Sequence, residues 1–263
     1  MNYETLIVEI KDNKARVTLN RPDRYNAMNL KMFEELDDFC DRLRDDNGVR
    51  VVVITGKGQA FCSGADLNDL SGVFNINDPT DVRRLLRRFG QVILKWHCLE
   101  KPVIAAINGA AVGGGLNLAL MCDLIIARED AVISQIYAQR SLPLDLGGTY
   151  FLPRRVGMAR AKELALFGDP IPAAEAEKIG LINRCVPAEK FEIIVEEWAD
   201  RLAKGATKAI GMAKTGLNQS LGMDLGTMLE YEAYSIATVF QTGDFREAVT
   251  AFREKRKPVF TGK

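Results

Sequence analysis

Residues 108–118 have the sequence NGAAVGGGLNL, in which a turn signal and three consecutive glycines precede an apolar stretch. Asn-Gly is a strong turn signal, and glycines before a helix leave its first backbone amides uncovered by side chains. Such amides bind anions or oxyanions, and the helix dipole assists them. The stretch is not a dinucleotide fingerprint, because a GxGxxG pattern counted from Gly113 fails at Leu118, and it lacks the Lys-Ser/Thr of a Walker A loop. Close packing of a helix on a strand is the structural alternative.

A second segment, AFCSGADL at residues 60–67, follows a short apolar stretch at 51–54 and two turn glycines. The small residues at Ala60 and at 63–65 allow a ligand to approach the backbone closely, so that the Ala65 amide can point at it. On these residues alone, a tight turn followed by a helix N-cap at Asp66 is the stronger interpretation. Only together with residues 108–118 does this segment indicate a ligand-binding site.

Strand and helix signals alternate in the N-terminal part of the chain, which predicts an α/β core. After about Pro187 only helical patterns follow. We therefore divide the chain into an α/β core, residues 1–200, and a helical C-terminal region, residues 201–263. The expected strands are 5–10 and 15–19, which form a hairpin around Asp12-Asn13, and 51–54, 103–107 and 124–127. The expected helices are 30–43, 78–99, 190–204, 207–217, 225–240 and 244–257.

Composition argues against several classes of protein. Lys+Arg and Asp+Glu balance at 35 each, whereas nucleic-acid binders usually carry a basic excess. The five cysteines are widely spaced without a CxxC pair, which favours buried free thiols over disulfides or a metal site. Early acidic residues such as Glu4 argue against a signal peptide, so we expect a cytoplasmic protein. The uncharged run 102–122 is long enough to cross a bilayer, but its proline, asparagines and glycines favour a strand, a turn and a helix start.

Taken together, the two glycine-containing segments resemble the enoyl-CoA hydratase/isomerase (crotonase) family. Further motifs extend this resemblance over nearly the whole chain and in the same order. These motifs are NRP at 20–22, NAM at 26–28, KPVIAA at 101–106, GGT at 147–149, LPRRVG at 152–157, AEKIGLIN at 176–183 and AFREKR at 251–256. The resemblance implies a spiral of ββα units followed by helices that mediate trimer formation, with trimers pairing into hexamers.

The resemblance also implies a site and its ligand. The oxyanion hole of the family falls on the backbone amides of Ala65 and Gly114, which would stabilise the charge on a thioester enolate oxygen. The implied substrate is an acyl-CoA, so coenzyme A enters as part of the substrate and no separate cofactor or metal is expected. Lys255 of a neighbouring subunit is implied as a contact to a CoA phosphate. The other implied CoA contacts are Arg24, Ala60, Ser63, Gly64, Asp66 and Leu67.

The chain departs from the family at the two glutamates that handle water in typical hydratases. Asn117 and Tyr137 occupy these positions, and neither side chain can act as a base near neutral pH. Asp145 remains as a nearby carboxylate, and isomerase-like branches of the family place a catalytic Asp in a similar context before Gly-Gly-Thr. Burial would raise the pKa of Asp145 and make it a better base. Alternatively, Asp145 caps a helix that begins near Thr149 or braces a turn.

Double-bond isomerisation of an enoyl-CoA is the leading interpretation, because it needs only one carboxylate. In this interpretation Tyr137 belongs to the core or binds substrate through its hydroxyl, and Asn117 orients a substrate or a water. One alternative is hydration of a 2-enoyl-CoA by a non-classical residue set. Another is a non-catalytic relative that binds acyl-CoA or RNA. Dehalogenation would need a helper histidine, and we interpret the single histidine, His97, as a packed or capping residue.

Overall fold

A computed structural model describes residues 2–72, 75 and 77–263 of the chain, which fold into two sheets and a set of surrounding helices. The strands are β1 Leu6–Lys11, β2 Lys14–Leu19, β3 Val51–Gly56, β4 Ala60–Cys62, β5 Val103–Ile107, β6 Ala110–Val112, β7 Leu124–Arg128, β8 Val132–Ser134, β9 Ile171–Pro172 and β10 Arg184–Val186. The helices are α1 Leu30–Asp45, α2 Leu67–Ser71, α3 Pro79–His97, α4 Gly114–Leu120, α5 Gly148–Phe167, α6 Ala173–Lys178, α7 Phe191–Ala203, α8 Thr207–Ser220, α9 Leu225–Val239 and α10 Gly243–Arg253.

The larger sheet has the strand order β1-β2-β3-β5-β7-β10, and the smaller sheet has the order β4-β6-β8-β9. In the larger sheet only β1 and β2 are antiparallel, whereas β3, β5, β7 and β10 add to it in parallel. Each of β3, β5 and β7 is followed by a short strand of the smaller sheet, and a helix comes next in the chain. The chain therefore climbs as a spiral of ββα units, which confirms the predicted fold class.

Most of the predicted elements are present, with their ends shifted by a few residues. The buried β3 matches the apolar stretch at 51–54, and α1 begins where the Asn29 side chain accepts a hydrogen bond from the Met32 amide at 3.0 Å. The sequence analysis missed the short strands β4, β6, β8, β9 and β10. Two or three residues cannot display an alternating pattern, so periodicity gives no signal for such strands.

Helices α1 and α3 cover one face of the larger sheet. Their contact includes stacked rings of Phe33 and Phe89, with centroids 3.8 Å apart. The buried Trp96 indole donates a hydrogen bond to the Leu36 carbonyl oxygen at 3.0 Å, so its polar nitrogen is satisfied inside the core. Replacing such a buried aromatic with alanine typically costs about 3–5 kcal/mol. This packing fixes the frame from which the site loops extend.

The C-terminal helices divide into two groups by what they contact. Helix α7 packs Phe191 and Val195 onto the larger sheet in one apolar cluster with Val51 and Ile104. The predicted boundary at residue 200 therefore falls inside a helix of the core face. Helices α8 and α9 line an open apolar pocket of about 850 Å³, and large apolar side chains on and between them are exposed, among them Leu217, Leu221, Leu225, Leu229 and Ile236.

Two of the five cysteines differ from the expectation that all are buried free thiols. Cys40, Cys62 and Cys122 are buried free thiols, as the composition predicted, but Cys98 is exposed and Cys185 is half-buried. Cys98 follows the end of α3, between the buried Trp96 and Leu99, and nothing in the local sequence distinguished it from the buried cysteines. Within the described ranges, no helix has the length and apolar character needed to cross a bilayer.

Candidate active site

The two glycine-containing segments lie side by side because the strands that precede them are neighbours. Strands β4 and β6 pair in parallel, with Ala60 opposite Ala110 and Cys62 opposite Ala111. Parallel strands end at the same edge of a sheet, so the loops that follow them emerge together. The loop after β4 carries Ala65, and the loop after β6 leads into α4.

Glycine is required where these two loops touch. Gly64 has φ of +103°, and a Cβ atom there would lie 3.1 Å from the Val112 oxygen and 3.4 Å from the Gly114 nitrogen. A Cβ atom at Gly115 would lie 2.1 Å from the Cys62 oxygen, a distance that no side chain tolerates. The glycines therefore allow one backbone to approach the other closely.

The amides of Ala65 and Gly114 remain available to a ligand. Gly114 is the first residue of α4, so its N–H has no partner within that helix. In the part of the chain that the structure describes, neither amide donates to a backbone or side-chain acceptor. Ala65 is also exposed, and a bridge to Met28 holds it in place. Two free donors thus lie on adjoining loops, as an oxyanion site requires.

Three polar side chains that are distant in sequence meet beside these amides. Asn117 Nδ2 donates hydrogen bonds to the Tyr137 hydroxyl oxygen and to the Asp145 carbonyl oxygen, both at 2.9 Å. The Tyr137 hydroxyl donates a short hydrogen bond to Asp145 Oδ1. A Cβ atom at Gly114 would lie 3.6 Å from the Tyr137 hydroxyl, which places this cluster next to the paired amides. The sequence singled out all three residues, and the structure brings them together.

The Asp145 carboxyl group does not cap a helix. Helix α5 follows it, but the N-cap residue is Gly147, and no side chain caps that end. Burial raises the pKa of Asp145 above its ordinary value, while the hydrogen bond from Tyr137 opposes this shift. Burial and the neighbouring Asp145 charge also raise the pKa of Tyr137, so its hydroxyl keeps its proton. A carboxylate with a raised pKa beside free amides is suited to proton transfer.

Replacing Tyr137 with phenylalanine is expected to raise the pKa of Asp145 further above its ordinary value. The hydroxyl donates to the charged carboxylate and so stabilises it, and a hydrogen bond to a charged group contributes on the order of 1.5–3 kcal/mol. NMR titration of isotope-labelled aspartate carboxyl groups measures the shift. Tyr150→Phe is the matched control, because that hydroxyl contacts the Asn218 carbonyl oxygen instead. An unchanged Asp145 titration in Tyr137→Phe would contradict the geometry.

The implied coenzyme A contacts separate into exposed and buried residues. Arg24, Ser63 and Leu67 are exposed. Ser63 connects the loop after β4 to the loop after β2, because its amide donates to the Tyr25 oxygen at 3.0 Å and its hydroxyl donates to the Arg24 oxygen at 3.4 Å. Gly64 is buried, and its backbone oxygen accepts the Met28 amide at 2.7 Å. Lys255 is exposed just after α10.

Ala60 and Asp66 do not fit the role of side-chain contacts to coenzyme A. Ala60 is 1% exposed within β4, and its side chain belongs to the core. The Asp66 carboxylate is buried, pairs with Arg21 at 2.8 Å and accepts the Asp69 amide at 3.2 Å in the first turn of α2. The helix-capping interpretation of Asp66 is the one that the geometry supports, because its oxygens are occupied by partners within the chain.

Sequence reasoning missed two residues that organise the site. Arg21 donates to the Ala27 oxygen at 2.5 Å and pairs with Asp66, so it ties the loop after β2 to the loop after β4. The NRP motif at 20–22 contained this residue without indicating its role. The second is Gln135, whose Nε2 donates to Asn117 Oδ1 at 2.9 Å. No motif or periodicity in the sequence pointed to Gln135.

His97 is packed, as the sequence suggested. Its ring lies edge-on to Tyr150 and Phe151, with centroids 6.0 and 5.0 Å away. Burial lowers its pKa below the ordinary value. Among the described residues, no group of three or more His, Cys, Asp or Glu side chains is arranged to hold a metal ion.

Comparisons with known proteins agree with this geometry. A family model described as enoyl-CoA hydratase/isomerase matches residues 9–263. The chain is 41% identical over 263 residues to a probable enoyl-CoA hydratase of Rhodobacter capsulatus, with 100% of both proteins covered. It is 36% identical over 265 residues to the 1,2-epoxyphenylacetyl-CoA isomerase of Escherichia coli, with 99% of each covered. The crystal structure of an enoyl-CoA hydratase from Bacillus anthracis matches with a TM-score of 0.92 at 34% identity, covering 99% of this chain and 100% of that one.

Proposed function

This chain belongs to the enoyl-CoA hydratase/isomerase family and is an enzyme of the crotonase fold, and from that premise we propose that it moves the double bond of an enoyl-CoA thioester. The amides of Ala65 and Gly114 bind the thioester oxygen in this proposal. Both donors are unoccupied and fixed by backbone packing, so they need no reorganisation when charge develops on that oxygen. Coenzyme A enters with the substrate, and no separate cofactor takes part.

The single observation that carries the choice of isomerisation is the cluster of Asp145, Tyr137 and Asn117. It contains one carboxylate, whose pKa burial raises, and two side chains that cannot act as bases near neutral pH. Isomerisation needs one group that removes a proton and returns it elsewhere. Classical hydration by a pair of glutamates would need a second carboxylate, which these positions lack.

The proposed reaction transfers one proton. The Asp145 carboxylate removes a proton from the carbon next to the thioester of a 3-enoyl-CoA, and the electron pair moves onto the oxygen that the two amides hold. Protonated Asp145 then returns the proton to the carbon at the far end of the conjugated enolate. The double bond now lies next to the thioester, and the carboxylate is regenerated.

Hydration of a 2-enoyl-CoA is the second candidate. The name of the Rhodobacter capsulatus relative, a probable enoyl-CoA hydratase, favours it. In this alternative Asp145 takes a proton from water, while Asn117 stays engaged with Tyr137, Gln135 and the Asp145 carbonyl oxygen. The reaction then proceeds with one carboxylate where typical hydratases of the family use two.

A panel of saturated, 2-enoyl and 3-enoyl CoA thioesters tests the proposal, because each candidate function treats these compounds differently. Isomerisation converts the 3-enoyl compound to the 2-enoyl compound with no change in mass. Hydration adds the mass of one water to the 2-enoyl compound. A non-catalytic acyl-CoA-binding protein would release or absorb heat in titration calorimetry without turnover. An RNA-binding relative would neither bind nor convert any of the three thioesters. No conversion of the 3-enoyl compound would refute the proposal.

We also propose that the enzyme is a homotrimer or hexamer, because α9 exposes more apolar side chain than a monomer can cover. Leu225 is 74% exposed and Leu229 is 53% exposed. Such a surface is typical of an interface between subunits. The proposed contact of Lys255 with a CoA phosphate depends on this assembly.

A Leu225→Asp/Leu229→Asp double variant is expected to be a folded monomer, whereas the unaltered protein is a trimer or a multiple of it. Two carboxylates in an apolar interface would stay unpaired, which strongly opposes association. Light scattering at micromolar concentration measures the mass. Ile193→Asp is the matched control, because Ile193 is 66% exposed on α7. A monomeric unaltered protein would contradict the assembly and remove the role of Lys255.

A further inference from the structure

Gln135 is a buried polar residue that contacts Asn117, one of the three residues of the proposed catalytic cluster with Tyr137 and Asp145. Its side chain is 1% exposed, and it precedes the short 3-10 turn, Ile136–Arg140, that carries Tyr137. Its Nε2 donates to Asn117 Oδ1 at 2.9 Å. Its own Oε1 is buried and has no hydrogen-bond partner among the described residues. The side chain therefore forms one directed contact and leaves its second polar atom unsatisfied.

The hydrogen bonds that begin at Gln135 run in one direction. The Asp145 backbone carbonyl can only accept, so the nitrogen of the Asn117 amide must face it. That same nitrogen donates to the Tyr137 hydroxyl oxygen. The hydroxyl hydrogen is then left for Asp145 Oδ1. The order of donation is Gln135 to Asn117, Asn117 to Tyr137, and Tyr137 to Asp145.

We propose that Gln135 is a positioning residue, which fixes the orientation of the Asn117 amide so that the Tyr137 hydroxyl points its hydrogen at Asp145. This inference rests on the proposed role of Asp145 as the proton carrier. If the Asn117 amide rotated by half a turn, its oxygen would face the Tyr137 hydroxyl and compete with Asp145 for the single hydroxyl hydrogen. Gln135 opposes that rotation together with the Asp145 carbonyl oxygen, because its amide hydrogen holds the Asn117 oxygen on the side away from Tyr137.

Methionine has a length and volume similar to those of glutamine, and it carries no donor or acceptor of comparable strength. Replacing Gln135 with methionine therefore keeps the packing and removes the hydrogen bond to Asn117 Oδ1. The buried Asn117 oxygen then lacks this partner, which destabilises the folded state. A loss of stability alone would therefore not distinguish a positioning role from a structural one, and the properties of Asp145 have to be measured.

The pKa of Asp145 reports whether the Tyr137 hydroxyl points its hydrogen at the Asp145 carboxylate. Tyr137 is the titratable side chain in hydrogen-bond contact with the Asp145 carboxyl group, and it stays protonated because its own pKa is raised. Burial raises the pKa of Asp145, and the hydrogen bonds from Tyr137 and Asn117 act in the opposite direction. A less ordered Tyr137 hydroxyl would therefore raise the pKa of Asp145 further.

Gln135→Met tests the inference. We expect a folded variant with a somewhat lower melting temperature, a kcat for a 3-enoyl-CoA that is about tenfold lower because the base is misaligned for part of the time, and a nearly unchanged KM. The acid limb of the pH profile should move to higher pH, because the Tyr137 hydroxyl stabilises the Asp145 carboxylate less often. Gln139→Met is the matched control: the exposed Gln139 side chain bonds the Phe167 oxygen and Asp169 and is outside this chain of donors. It should leave the pH profile unchanged.

A second measurement needs no turnover. NMR titration of labelled aspartate, with the Asp145 signal identified by its loss in Asp145→Asn, should show a higher Asp145 pKa in Gln135→Met than in the unaltered protein. That shift would support the inference even if no CoA thioester in the panel were converted, which would refute only the proposed function. An unchanged Asp145 pKa in the folded variant overturns the inference, as does an unchanged pH profile. If the methionine variant does not fold, Gln135→Leu provides the same comparison.

Discussion

Replacing Ala65 with proline is expected to lower kcat/KM for every acyl-CoA substrate by about 10²–10³, the usual loss when one oxyanion donor is removed. Proline lacks the N–H that would hold the thioester oxygen, and its ring would occupy the space of that hydrogen. The amide makes no hydrogen bond within the described part of the chain, so no internal contact is lost with it. The measurement is steady-state turnover across the CoA thioester panel.

Ala65→Ser is the control for this change, because it alters an exposed side chain and keeps the amide. It should retain activity within a few-fold. Both variants should show the circular dichroism of the unaltered protein, so that a folding defect is not mistaken for lost catalysis. If Ala65→Pro retained activity similar to that of Ala65→Ser, the Ala65 amide would have no part in the reaction.

Asp145→Asn is expected to lower the isomerisation rate by about 10²–10⁴, the span that follows the loss of a general base. Asparagine keeps the shape of the side chain and can still accept a hydrogen bond from Tyr137, but it cannot accept the substrate proton near neutral pH. Acyl-CoA affinity, measured by titration calorimetry, should change little, because binding rests on the amides of Ala65 and Gly114. Tyr137→Phe should cost less activity, because the base remains.

The control for Asp145→Asn is Asp130→Asn. Asp130 is an exposed carboxylate that pairs with Arg128, and it lies outside the candidate site. It should leave turnover within a few-fold of the unaltered rate. A comparable loss in both variants would indicate a general effect of removing a carboxylate. A large loss of acyl-CoA affinity in Asp145→Asn alone would point to a binding role for Asp145.

Local sequence was enough to find the elements whose signal lies within a few residues. The glycines at 113–115 and at Gly64 could be interpreted because a close backbone approach needs glycine wherever it occurs. The departures at Asn117 and Tyr137, together with Asp145, could be recognised only through the family resemblance. Spacing alone does not show that residues 117, 137 and 145 meet.

Other features depend on tertiary contacts that no local pattern reports. The short strands β4 and β6 give no periodic signal, yet their pairing places Ala65 beside Gly114. The burial of the Ala60 and Asp66 side chains follows from the same pairing and from the ion pair with Arg21, which no local pattern reports. Gln135 acts only through its neighbour, and the direction of its hydrogen bond is set by the Asp145 carbonyl oxygen.

The central claim is that a single carboxylate, Asp145, transfers a proton on an enolate held by two amides. The most direct test is the turnover of a 3-enoyl-CoA by the unaltered enzyme and by Asp145→Asn at matched folding stability. The account predicts that the unaltered enzyme forms the 2-enoyl-CoA and that the variant is slower by about 10²–10⁴. Equal rates would contradict the account and would leave the reaction without a proton carrier.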